Sequence, residues 1–83
     1  MTSTEIREQI RAFIDTTFAK GKKYGDDVDL FELGILDSLG VRDLLSFLED
    51  TFAVQIDDAL FFDARFATLS GLTEIMGELR TPK

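Results

Sequence analysis

Eighty-three residues, 45% of them hydrophobic and eight of them phenylalanine, are enough for one small domain held together by apolar packing. With no cysteine there is no disulfide staple, and with no histidine there is no Ser-His or Cys-His catalysis and no ordinary histidine-based zinc site. The net charge of −7 is lopsided: residues 26–63 hold eleven acids and one base, Arg42, whereas the flanking segments are slightly basic.

That acidic middle repels nucleic-acid phosphates, so no nucleic-acid partner is expected. It suits encounter with basic protein surfaces, although acidic surfaces also simply keep small domains soluble. No apolar run reaches membrane-spanning length, and Met1 to Glu5 has no signal-peptide pattern. A soluble, cytoplasmic, monomeric protein without membrane insertion is expected. Repeats and interdomain linkers are absent, so residues 1–83 read as a single domain, although a domain cut from a larger enzyme would look much the same.

The first helix is predicted over residues 5–19, with Ile6, Ile10, Phe13, Ile14 and Phe18 on one face. Thr2 and Glu5 have capping-box spacing, and Lys20, Gly21, Lys22 and Lys23 supply a C-terminal glycine and favourable positive charge. Residues 24–37 read as an ordered loop. Asp29 and Glu32 repeat the capping-box spacing, Gly34 can close a helical turn, and Leu30, Phe31, Leu33 and Leu36 are apolar anchors. The aspartates and glutamate here do not match the spaced ligands of an EF-hand, so they read as caps and solvated acids.

The second helix is predicted from Ser38 to about Thr51, with Asp37 as N-cap. Val41, Leu44, Leu45, Leu48 and Phe52 form its buried stripe, and Arg42, Asp43, Ser46, Glu49 and Asp50 fall mostly outside it. Gly40 leaves the ground beside Ser38 uncovered. Phe52 to Ile56 alternates but has no partner strand and reads as extended loop. Asp57 with Asp58 can cap a short turn through Phe62, and Asp63 another ahead of Phe66. The last helix starts after Thr68 and lines Leu69, Leu72, Ile75, Met76 and Leu79 on one face, ending at Thr81, Pro82 and Lys83. The fold class is all-α: a small antiparallel bundle of three main helices with one or two short ones. Phe13, Phe18, Phe47, Phe52, Phe61, Phe62 and Phe66 read as core rather than a ligand box.

Ser38 is the candidate functional residue. A serine in the first turn of a helix is common and by itself implies nothing. A helix N-terminus also offers partial positive charge and unpaired amides that tolerate a phosphodiester, while Asp37 places a like charge beside it. Nucleophilic catalysis by Ser38 finds no base, since Lys20, Lys22 and Lys23 are a solvated run. The nucleophile-elbow pattern also fails, with Leu36 where a glycine belongs.

The run Asp29, Phe31, Gly34, Asp37, Ser38, Leu39, followed by Leu48, Glu49 and Phe52 and later by Phe66 and Leu69, resembles the acyl and peptidyl carrier protein family over nearly the whole chain. The resemblance implies a four-helix carrier bundle with no catalysis of its own. It implies that Ser38 bears a covalent 4′-phosphopantetheine, added by a separate phosphopantetheinyl transferase. The arm would carry an acyl or aminoacyl thioester between a loading enzyme and a downstream acyltransferase or synthase. Asp37, Asp43, Glu49 and Asp50 would be electrostatic docking contacts, Leu39 the apolar one, with Arg42 among them.

Gly40 and Arg42 stand where fatty-acid carriers commonly have an acid and an apolar residue. This shifts the expectation toward a short acyl or aminoacyl cargo in a polyketide or nonribosomal-type pathway. The alternatives are a D-alanyl carrier of cell-wall polymer modification and an acidic protein-binding adaptor without a prosthetic group.

Overall fold

The computed structural model describes residues 2–57, 59–60 and 63–80. Among them there is no strand, and three α-helices carry the fold: α1 (Ser3–Ile14), α2 (Gly40–Phe52) and α3 (Leu69–Arg80). A π-helical turn, Asp15–Ala19, continues α1, and a 3-10 turn, Ala64–Ala67, precedes α3.

The predicted capping box starts α1: the Thr2 hydroxyl accepts from the Glu5 amide, and the Glu5 carboxylate accepts from the Thr2 amide. Ile6, Ile10 and Ile14 are buried, while Phe13 and Phe18 are half-buried. The helix does not stay α-helical to residue 19. The Lys20 amide reaches back five residues to the Asp15 carbonyl, and the chain reverses at Lys20 (φ 47°), one residue before the expected glycine. Gly21 continues the left-handed turn at φ 96°.

The link to α2 is built into the core. Leu30, Ile35 and Leu36 are buried with the helical residues. The Asp29 carboxylate accepts the Phe31 and Glu32 amides, and Gly34 closes the turn at φ 76°. Two backbone hydrogen bonds tie this link to the other end of the chain: Leu30 N–H to the Ala67 carbonyl (2.8 Å) and Ser70 N–H to the Asp26 carbonyl (2.9 Å). The Asp26 carboxylate accepts from Arg7 (2.7 and 2.9 Å) and from Arg11, which fixes the link to α1 as well. These guanidinium bonds, Arg7 foremost, hold the Asp26 carboxyl below the usual carboxylate range.

In α2 the buried stripe is Val41, Leu44, Leu48 and Phe52, with Leu45 half-buried. An aromatic chain joins α2 to α1: Phe13 stacks on Phe47 at 4.1 Å between centroids, with Phe18 and Phe52 edge-on at either end. Phe52 and Phe66 are fully core, whereas Phe61 and Phe62, expected there too, lie outside the described residues. The expected extended loop Phe52–Ile56 is a loop only in part: Phe52 is the last residue of α2, Ala53 breaks the helix at φ 54°, and residues 54–57 have no regular secondary structure. The expected short turn is seen in part: the Asp57 carboxylate accepts the Ala59 amide and its carbonyl accepts the Leu60 amide (2.9 Å), while Asp58, Phe61 and Phe62 lie outside the described residues.

Asp63 caps the 3-10 turn through the Arg65 amide, and Thr68 caps α3 through the Gly71 amide (2.9 Å). Leu69, Leu72, Ile75 and Met76 are buried, but Leu79, expected on the same buried face, is 39% exposed. Arg80 donates to the Phe52 carbonyl and closes that end on α2. The expected stop at Thr81 to Lys83 lies outside the described residues.

Gly71 sits where α3 meets the 3-10 turn. A Cβ there would lie 2.0 Å from the Arg65 carbonyl oxygen, and the obstacle is backbone. Gly71→Ala is expected to destabilise the fold by about 1–3 kcal/mol in urea denaturation. Gly77→Ala, with nothing within 4 Å of its Cβ, is expected to be neutral or stabilising by up to about 1 kcal/mol. Equal effects of the two would refute this packing account.

Candidate functional site

The site is the junction where the packed link turns into α2. The Asp37 carboxylate accepts the Leu39 amide (3.1 Å) and the Gly40 amide (2.6 Å), and its carbonyl accepts the Val41 amide (3.0 Å). Asp37 is therefore the N-cap in function, as its sequence position suggested. Regular helix begins at Gly40 rather than Ser38, because Arg42 N–H bonds the Leu39 carbonyl three residues back and tightens the first turn. At the other end α2 runs one residue past Thr51, to Phe52.

Ser38 is exposed, and no described residue hydrogen-bonds its hydroxyl. Leu39 beside it is 78% exposed, the largest exposure of any large hydrophobic side chain among the described residues. Asp37, Arg42, Asp43, Glu49 and Asp50 are exposed as well. The junction thus presents Ser38, an apolar side chain and a charged helix face to one side. Glu49 has a structural task in addition: its carboxylate accepts the Ile56 amide (3.1 Å) and holds the extended segment to α2.

Two expectations at this junction change. Gly40 does not leave open ground. A Cβ there would lie 2.9 Å from the Phe18 ring and 3.2 Å from the Asp37 carboxylate, so Phe18 of the π turn covers that side. Nor does the helix start present a cluster of free amides, since Asp37 already engages those of Leu39 and Gly40.

The Phe18–Gly40 contact had no signal in the sequence beyond a phenylalanine at a helix end. The Asp26 pairing was visible only as Arg7 and Arg11 four residues apart on one helix.

Described clefts lie elsewhere. One of about 350 Å³ is lined by Arg11, Asp15, Gly21, Lys22, Lys23 and Tyr24, and another by Glu49, Gln55, Ile56 and Asp57. Both are open to solvent, and neither includes Ser38. Tyr24 donates to Asp15 (2.7 Å), and burial followed by that bond pushes its phenol well above its usual range. Among the described residues no group of three acids, histidines or cysteines could hold a metal ion, and no helix is long and apolar enough to cross a membrane.

The Ser38 hydroxyl is thus exposed and without a hydrogen-bond partner among the described residues, on a backbone held from both sides. Residues 4–76 match the family described as phosphopantetheine attachment site. The chain belongs to that family of carrier proteins, whose cofactor is a covalently attached 4′-phosphopantetheine. It is similar to the D-alanyl carrier protein of Streptococcus gordonii, 29% identical over 76 residues, covering 92% of this chain and 96% of that one. Those of Streptococcus pyogenes and Streptococcus mutans are 31% and 30% identical, over 90% and 92% of this chain and 95% and 96% of theirs.

The cap and the charge of Asp37 are separable. Asp37→Ala is expected to lower stability by about 1 kcal/mol, whereas Asp37→Asn, which keeps an acceptor, stays within a few tenths of wild type. Thermal unfolding of the two variants checks this; equal losses would mean that the charge rather than the cap matters.

Proposed function

We propose that this chain carries 4′-phosphopantetheine on Ser38 and shuttles a thioester-bound D-alanyl unit between a loading enzyme and an acceptor enzyme. The observation that carries the site assignment is the exposed, unbonded Ser38 at the Asp37-capped junction, within the span matched by the family. The D-alanyl cargo is supported by the names of the relatives, and they favour it over the polyketide or nonribosomal-type cargo.

The chain acts as a substrate of other enzymes rather than as a catalyst. In the attachment step the Ser38 oxygen forms a new bond to the pantetheine-side phosphorus of coenzyme A. The bond from that phosphorus to the adenosine 3′,5′-bisphosphate leaving group breaks. The hydroxyl proton leaves to a base of the transferase, since no histidine exists here to take it. Once attached, the group supplies a thiol on a long flexible arm, which holds the cargo as a thioester.

Asp37 and the packed link hold the start of α2 in place, so the serine is delivered at a constant position relative to the docking face. That face combines Leu39 as the apolar contact with Asp43 and Asp50, which speed encounter with basic partner surfaces. Arg42 and Glu49 flank it.

Incubating the purified chain with coenzyme A and a broad-specificity phosphopantetheinyl transferase is expected to add one phosphopantetheine mass, with none added to Ser38→Ala. A folded wild-type chain that gains no mass would overturn the assignment. The intact mass of protein isolated from its native host is expected to show the arm plus an alanyl group. A polyketide extender unit in its place would overturn the D-alanyl reading alone.

Reversing Asp43 or Asp50 to lysine is expected to slow association with the transferase several-fold at low salt and to leave the circular dichroism spectrum unchanged. Both are exposed on α2 and outside its buried stripe. An unchanged association rate in both variants would remove them from the docking face.

A further inference from the structure

Arg42 is the lone base between residues 26 and 63, among eleven acids, yet no described carboxylate pairs with it. The reason is its spacing. Its neighbours three and four residues away are Leu39 and Ser38 on one side and Leu45 and Ser46 on the other, and none is acidic. A cation in the first turn of a helix also opposes the helix dipole, so this placement does nothing for α2 itself. The other arginines that join separate parts of the fold, Arg7, Arg11, Arg65 and Arg80, all have partners within the chain.

The backbone places Arg42 over Ser38. Val41 N–H bonds the Asp37 carbonyl at 3.0 Å and Leu39 has helical angles (φ −83°, ψ −43°), so residues 37–41 form an α-type turn. Ser38, just before the regular helix, and Arg42, in its first turn, therefore stand close to one turn apart, about 6 Å along the axis, with the Arg42–Leu39 bond tightening the turn between them. That distance is within the length of an arginine side chain, whose planar fork suits phosphate oxygens. Two of the nearby backbone donors are already taken: the Leu39 and Gly40 amides are held by Asp37. Asp37 also sets a carboxylate next to the serine, which leaves the root of any attached phosphodiester in need of a counter-charge.

We infer that Arg42 is the intramolecular counter-ion of the phosphodiester on Ser38, binding a singly charged phosphate without help from a partner protein. This rests on the assignment of Ser38 as attachment point. The contact steers the root of the arm along the Ser38–Arg42–Ser46 face of α2 and offsets the adjacent Asp37 charge. It gives Arg42 a role in the isolated carrier, separate from docking.

The test uses the full chain in apo and holo forms, the holo form made with coenzyme A and a transferase and verified by mass, with no other protein present. On conversion to holo, the Arg42 Nε–H nuclear magnetic resonance signal is expected to shift and its exchange with water to slow several-fold. The phosphorus-31 resonance of the holo protein is expected to move in Arg42→Gln, to move less in Arg42→Lys, and to stay in place in the remote control Lys23→Gln. Raising salt to about 0.5 M should shrink the difference between wild type and Arg42→Gln, because the pair is exposed. Verified holo protein in which neither the Arg42 signal nor the phosphorus resonance responds would overturn the inference and leave the Ser38 assignment standing. Failure to form holo protein would overturn both.

Discussion

The burial of Leu30, Ile35 and Leu36 is the constraint on which the rest of this molecule depends. These residues belong to a link that is neither helix nor strand, yet they are as deeply buried as the helical core. Placing them there costs backbone entropy, which apolar burial must exceed. It does so because the link's polar groups are also satisfied: by Asp29 at its turn, by Ala67 and Ser70 across the fold, and by Arg7 and Arg11 through Asp26. The end of this link is the start of α2. Whatever holds Leu36 therefore holds Ser38, two residues on.

This arrangement separates rigidity from mobility at a single residue. Backbone on either side of Ser38 is fixed, by Leu36 in the core and by the Asp37 cap on the helix. The Ser38 side chain itself meets no described partner. If Ser38 is the attachment point, as proposed, that division suits a carrier, since docking enzymes must find the arm's root in a constant place while the arm moves. The same division accounts for the exposed Leu39: it stands on a fixed backbone, ready for an apolar pocket, without contributing to the carrier's own core.

Charge is distributed with a similar separation. Cations that join parts of the fold are matched to carboxylates or carbonyls. Arg65 alone reaches Asp63, Glu74 and Glu78, tying the 3-10 turn to α3, and the bonds to Asp63 first and Glu78 next raise its pKa. On α2, by contrast, Asp43 and Asp50 are exposed and make no described ion pair, which leaves that face with uncompensated negative charge, in keeping with the proposed docking role. Glu49 is the exception, since it also braces Ile56.

Much of this was legible in the sequence because it is local. Hydrophobic spacing placed the three helices and their buried faces, Thr2, Asp37 and Thr68 marked their starts, and the missing histidine removed self-contained catalysis by the serine. The pattern around Ser38 pointed to the family, which the match over residues 4–76 bears out. What only the tertiary structure decided involves residues distant in the chain. The π turn at Asp15–Ala19 lets Phe18 cover Gly40, and so closes ground that a glycine by itself would leave open. Leu79 lies on the expected stripe yet is 39% exposed. Arg42 stands close to one turn from Ser38 only because the Asp37 carbonyl closes an α-type turn ahead of the regular helix. Periodicity reports which face of a helix is apolar; it carries no information on where the neighbouring element stops, or on which side chain from another element arrives there.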